Sequence, residues 1–131
     1  MSFENTYVNP KGRTSRAAFI PALLVVLAAA AFYHFLARSG RNGEWVLLTL
    51  LLPALVLHAR RLHDMGQTAW LLLAPAALIV AAAGMHMSGQ DGQVQTDLAL
   101  AALAVSAAFV LWCAVAKGQA EANKYGELAA A

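Results

Sequence analysis

Three short polar segments hold most of the groups in this chain that are able to do chemistry. They are Gly12-Arg13-x-x-Arg16-x-x-Phe19, then Arg60-Arg61-Leu62-His63-Asp64-x-Gly66 with Trp70 after it, and Gly118-x4-Asn123-x-Tyr125-Gly126. Arginine presents a planar fork of donors that matches phosphate and carboxylate. Arg13, Arg16, Arg60 and Arg61 beside His63, Asp64, Asn123 and Tyr125 therefore define a candidate site for an anionic lipid headgroup or a phosphate-bearing ligand. In that reading the arginines supply charge, His63 and Asp64 orient them, and Asn123 and Tyr125 close the pocket. The plainer reading is that the basic residues fix membrane topology and neutralise Asp64 or Glu121. Topology asks only for basic charge, however, and not for a His-Asp-Asn-Tyr set beside it.

On a helix Arg60, His63 and Asp64 fall at i, i+3 and i+4 and share a face, which leaves Arg61 about 100° away and free to reach lipid headgroups. His63 and Asp64 are sequence neighbours and diverge by the same angle, so Asp64 is expected to pair with an arginine of the N-terminal segment instead. No nucleophile comes with a matching base and orienter, and a non-enzymatic role is expected. His58 and His63 are five apart, a poor spacing for one metal on one helical face. Met85-His86-Met87 offers soft ligands suited to Cu(I), but such residues at a span end are more often packing. No metal or cofactor is expected. Cys113 lies in an apolar segment and reads as a small packing residue.

These segments must be held by elements that live in a bilayer. Of 131 residues 60% are apolar and 12% charged, against about 25% charged in a soluble domain. The few charges are confined to short stretches, as a hydrocarbon layer requires. Residues 17–37 carry no formal charge, and at ~1.5 Å per residue they reach about 31 Å, enough for a hydrocarbon core of ~30 Å. That run is too long for the apolar part of an ordinary signal peptide, and further spans follow it. A turn from Arg38 to Glu44 leads to a second run, 45–59, too short unless its helix continues through Arg60-Arg61-Leu62-His63-Asp64. Gly66 then ends the helix and Thr68 caps the next one. A third span is expected over 69–87, with Pro75 and Gly84 inside it. Residues 88–97 read as a polar loop without Lys or Arg, and a fourth span covers 98–116.

The expected fold is all-α: a four-helix transmembrane bundle forming one membrane domain over residues 1–131. With four spans one face carries Lys11, Arg13, Arg16, Arg60, Arg61, Lys117 and Lys124, and the other only Arg38 and Arg41, so both termini are expected in the cytoplasm. Phe19, Tyr33, Trp45, Trp70 and Trp112 sit near span ends, where interfacial aromatics belong. The net charge of +2 is small and no basic stripe alternates with aromatics, so no nucleic-acid partner is expected. The expected partners are membrane lipids and further copies of the chain. Alanine-rich spans, with Ala104 and Ala108 as a small-xxx-small pair, suit close helix contact. They also leave an alternative function open: a homo-oligomeric channel or transporter lined by small residues and Ser106, gated by the same polar clusters.

The three clusters resemble domain-of-unknown-function family 805, small YhaH-like bacterial inner-membrane proteins. The central Arg60-Arg61-Leu62-His63-Asp64-x-Gly66 with Trp70 is the most specific element of the likeness. Similar chains usually have Ser-Gly before the tryptophan, where this one has Thr68-Ala69. The resemblance implies a bacterial inner membrane and four spans, and it carries no chemistry, because the family's function is itself unknown.

Overall fold

The computed structural model describes residues 2–37 and 44–127. The turn expected at 38–43, with Arg38 and Arg41, lies outside the described residues.

Local chemistry sets the starts of the first two helices and the turn between the third and the fourth. Helix α1, Phe3–Tyr7, is capped by the Ser2 hydroxyl, which accepts from the Asn5 N–H. Helix α2, Arg16–Phe32, is capped by Ser15, whose hydroxyl accepts from the Ala18 N–H at 3.2 Å. A π-helical turn, Tyr33–Ala37, prolongs it. Helix α3, Glu44–Asp64, runs through the polar cluster without a break, as the short second apolar run requires. Gly66, at φ +75°, stops it. The Gln67 N–H reaches the Leu62 carbonyl at 2.8 Å and the Gly66 N–H the His63 carbonyl at 3.1 Å, the paired bonds of a Schellman ending. Thr68 then caps a 3-10 turn, Ala69–Leu72, that merges into helix α4, Leu73–Met87.

Helix α5, Gln93–Val115, begins about a turn earlier than the uncharged stretch suggests. Its first residues are polar but locally satisfied. Gln93 donates to Asp97, the Thr96 hydroxyl to the Gly92 carbonyl, and Gln95 to the Ala82 carbonyl of α4.

The described residues contain helices and no strands; their one β-type pairing is an isolated bridge between Asn123 and Gly126. Among the described residues four helical stretches are long and apolar enough to cross a membrane: Arg16–Leu36, Trp45–Asp64, Ala69–Met87 and Gln93–Val115. Helix α2 packs chiefly on α3, and α4 on α5, so the chain forms two hairpins that touch each other more loosely. The packed core gathers at the polar end, around Phe19, Leu23, Leu57, Leu62, Met65, Leu72 and Cys113. Outward faces carry Leu24, Leu52, Val80, Leu103 and Leu111 exposed, a surface suited to hydrocarbon and costly in water.

Phe19 corrects the reading from sequence. It is fully buried in the core, edge-on to His58 at 5.1 Å between ring centres, and not an interfacial aromatic. Trp45 and Trp70 are exposed as expected.

Candidate functional site

The three polar clusters meet at one end of the molecule, tied by direct hydrogen bonds. The N-terminal segment after α1 passes beneath α3. Tyr7 anchors its start by donating to the Ala22 carbonyl at 3.0 Å, and partial burial raises the pKa of this phenol. Further on, the Thr14 N–H donates to the Arg60 carbonyl at 3.1 Å. The Arg60 side chain answers in the opposite direction. Its Nε donates to the Thr14 hydroxyl at 3.1 Å, Nη2 to the Arg13 carbonyl at 3.0 Å, and Nη1 to the carbonyls of Asn9 and Lys11. Residues 9–14 thus wrap one guanidinium in carbonyl oxygens. Gly12, at φ +97°, makes the bend; a Cβ there would sit 2.9 Å from Arg60 Nη1.

Arg61 turns the other way, toward the end of α5. Its Nε donates to the Cys113 carbonyl at 2.8 Å and Nη2 to the Ala116 carbonyl, while Nη1 holds Asp64 Oδ2. The last carbonyls of a helix have no partner within it and carry the negative end of its dipole, so a cation there is favourable. Helix spacing left Arg61 free to reach either lipid headgroups or protein, and it takes the second course: its side chain is wholly buried. The acceptors that draw it inward are backbone atoms, to which side-chain spacing is blind.

Asp64 joins all three segments. Arg13 approaches Oδ1 with Nε at 3.0 Å and Nη2 at 2.9 Å, which is the N-terminal pairing anticipated from sequence. The same guanidinium reaches forward into the tail, Nη2 to the Gln119 carbonyl at 2.6 Å and Nη1 to the Glu121 carbonyl at 2.7 Å. The Asp64 carbonyl accepts from the Gln119 N–H at 2.7 Å. Gly118 passes so close that a Cβ on it would lie 2.0 Å from Asp64 Oδ2. A buried carboxylate between two buried arginines is tolerable because the guanidinium donors it does not take find main-chain carbonyls.

His63, Asn123 and Tyr125 close the arrangement. His63 Nδ1 lies 3.0 Å from the Gly12 carbonyl, which only accepts, so this nitrogen carries the proton. The imidazole stacks on Tyr125, with ring centres 4.0 Å apart and planes 7° from parallel, and Lys124 lies over the far ring at 5.1 Å. Asn123 donates to the His63 carbonyl at 2.9 Å and accepts from the Tyr125 N–H at 2.8 Å.

Seven of the eight sequence-selected residues therefore form one interlocked unit. Arg13, Arg60, Arg61 and Asp64 are buried within it. Arg16 is the exception: it is exposed, and its Nη1 donates to the Val115 carbonyl at 3.0 Å. It lines an open recess of about 380 Å³ with Ser15, Lys117, Gln119 and the edge of Asp64, whose carboxylate is already held by Arg13 and Arg61, and Lys117 is exposed as well. Lys117 and Thr14 were not selected from sequence, although both adjoin the selected clusters. Among the described residues no group of three His, Cys, Asp or Glu side chains is placed to hold a metal ion.

Four long apolar helices and a charged unit sealed at their end define an integral membrane protein. The chain belongs to the DUF805 family, described as a protein of unknown function, whose profile matches residues 7–127. The matched stretch runs from the Tyr7 anchor to just beyond Gly126, and so contains all three clusters. No curated protein and no solved structure matches the chain.

Proposed function

We propose that this is a bacterial inner-membrane protein with both termini in the cytoplasm, whose polar end docks an anionic lipid headgroup or another phosphate-bearing group in the recess beside Arg16 and Lys117. The excess of Lys and Arg on the face shared by the termini supports the orientation. The observation that carries the site is the division among the arginines. Arg13, Arg60 and Arg61 direct their donors to carbonyls and Asp64, whereas Arg16 and Lys117 stand exposed together in one recess. In this reading the eight residues split by task. Arg16 meets the ligand, and Arg13, Arg60, Arg61, His63, Asp64, Asn123 and Tyr125 hold the walls. The recess lies where α2 starts and α5 ends, next to the headgroup plane, and two cations there attract phosphate by about 1 kcal/mol each.

The test is native mass spectrometry of the protein released from nanodiscs of mixed phosphatidylcholine and phosphatidylglycerol, wild type beside Arg16→Gln/Lys117→Gln. Selective retention of phosphatidylglycerol, reduced several-fold in the variant, supports a lipid headgroup. Retention abolished equally by millimolar inorganic phosphate and by the variant points to a soluble phosphate-bearing ligand. Equal retention of both lipids in both proteins overturns the reading, and a ring of copies without selective lipid moves it to a channel.

A further inference from the structure

Three apolar spaces lie end to end between the two helix hairpins. The first, about 320 Å³, opens beside Trp70 and Pro10. It shares Leu55, Leu72 and Ala76 with the second, about 220 Å³, which is lined from all four long helices. The second in turn shares Val26, Leu51, Ala54 and Ile79 with a third, about 250 Å³, that extends to Leu47 and Ala30. Along α3 the series runs from Ala59 to Leu47, about 18 Å at ~1.5 Å per residue. Together they make an apolar slot along α3, open to the surface at both ends and walled by Leu, Val, Ile and Ala.

Two polar side chains line its middle part, His58 of α3 and Ser106 of α5. His58 Nδ1 lies 2.8 Å from the Ala54 carbonyl and so carries the ring proton, which leaves Nε2 as an acceptor. Ser106 Oγ is, among the described residues, the one buried side-chain polar atom without a hydrogen-bond partner. A serine inside a helix ordinarily bonds back to the carbonyl four residues before it. A hydroxyl left unpaired in an apolar setting has given up its water without recovering a hydrogen bond. An acceptor and a hydroxyl along one slot are matched by a group that both donates and accepts.

We propose that the slot binds a long-chain alcohol, an extended hydrocarbon carrying one hydroxyl. The hydroxyl donates to His58 Nε2 and accepts from Ser106, and the chain runs along α3 toward Leu47 and Ala30. An ester or ether headgroup has no proton to give Nε2, and a charged headgroup finds no counter-ion among the lining residues. A water molecule would satisfy the two polar groups but leave the remaining apolar volume empty, whereas a hydrocarbon chain fills it. The inference is independent of the headgroup recess, since Arg16 and Lys117 take no part in the slot.

The experiment is photolabelling of the full chain in phosphatidylcholine nanodiscs with a diazirine-bearing long-chain alcohol. Saturable labelling of α3 and α5 peptides is expected, competed roughly tenfold better by the unlabelled alcohol than by its methyl ether, the worth of about one hydrogen bond. His58→Phe should remove that preference. Ser106→Ala should instead weaken labelling by the alcohol and competition by both ligands alike, since an ether oxygen also accepts from a serine. Ala76→Phe should fill the slot and cut labelling about tenfold, by the same scale. Where Ala76→Phe fails to fold, Ser106→Ala, which deletes a single oxygen, decides. Labelling that never saturates and spreads over outward residues such as Leu103 and Leu111, or equal competition by alcohol and ether in the wild type, overturns the proposal.

Discussion

Arg13 and Asp64, 51 residues apart, meet side-on, with Nε at 3.0 Å and Nη2 at 2.9 Å from one carboxylate oxygen. Arg61 holds the other oxygen, so two buried cations share this single aspartate and take their remaining partners from main-chain carbonyls. Removing one member of a buried pair costs about 3–5 kcal/mol, because the remaining charge stays buried and unmatched. Asp64→Asn should therefore lower the thermal midpoint sharply in detergent, read by tryptophan fluorescence. The double variant Asp64→Asn/Arg13→Gln should lose less than the sum of the single changes. Strict additivity would show that the pair is not coupled.

Gly118 offers a cleaner test of fit. Gly118→Ala places a methyl 2.0 Å from Asp64 Oδ2 and should displace the tail, whereas Gly84→Ala meets no atom within 4 Å and sits in a helix. Hydrogen exchange at Gln119, whose N–H bonds the Asp64 carbonyl, should accelerate at least tenfold in the first variant and stay unchanged in the second. The tenfold figure corresponds to about 1.4 kcal/mol of lost protection.

Arg60→Lys keeps the charge and discards the fork. A lysine is a single point donor and does not serve Thr14, Arg13, Asn9 and Lys11 together as Arg60 does. The expected cost is about 1–3 kcal/mol, and limited proteolysis should cut within residues 9–14 where the wild type resists. Unchanged resistance would mean that this wrap is held by the Thr14–Arg60 backbone bond alone.

Alkaline pH should loosen the N-terminal anchor. The Tyr7 pKa is raised above its ordinary value of 10.0 by burial, so the folded chain holds this proton more tightly than the unfolded one. The contribution to stability is complete below pH 10.0 and is lost as pH rises from there through the folded-state pKa. Tyr7→Phe removes the bond to the Ala22 carbonyl, about 1 kcal/mol, and with it this part of the alkaline loss. Parallel melting curves of the two proteins between pH 9 and about 11.5 check the difference.

Apolar run length made the four long helices legible, and Thr68 and Gly66 marked the α3–α4 turn by their local chemistry. The convergence of the clusters was legible too, because residue types that need partners stood at the same ends of successive spans. What side-chain patterns did not carry was the identity of the acceptors. Arg60 and Arg61 are bound mostly by main-chain oxygens, and any residue supplies those. The inward turn of Arg61 was lost for that reason. Phe19 was misjudged because nearness to a span end does not say which side of the helix faces protein. The early start of α5 was hidden because Gln93, Gln95 and Thr96 look like loop until their helical partners are drawn.

Residues 116–121, which supply carbonyls to Arg13 and Arg61, follow both arginines in the chain and so leave the ribosome after them. Until residues 116–121 arrive, a growing chain has cations that belong inside with nothing to enclose them, so they stay in water or among headgroups. Closure of this end therefore waits on a segment that follows the last long helix. A chain cut before Gln119 would keep the acceptors of Arg60 and Arg61 and strip Arg13 of its tail carbonyls, leaving one half-held cation to mark the unfinished end.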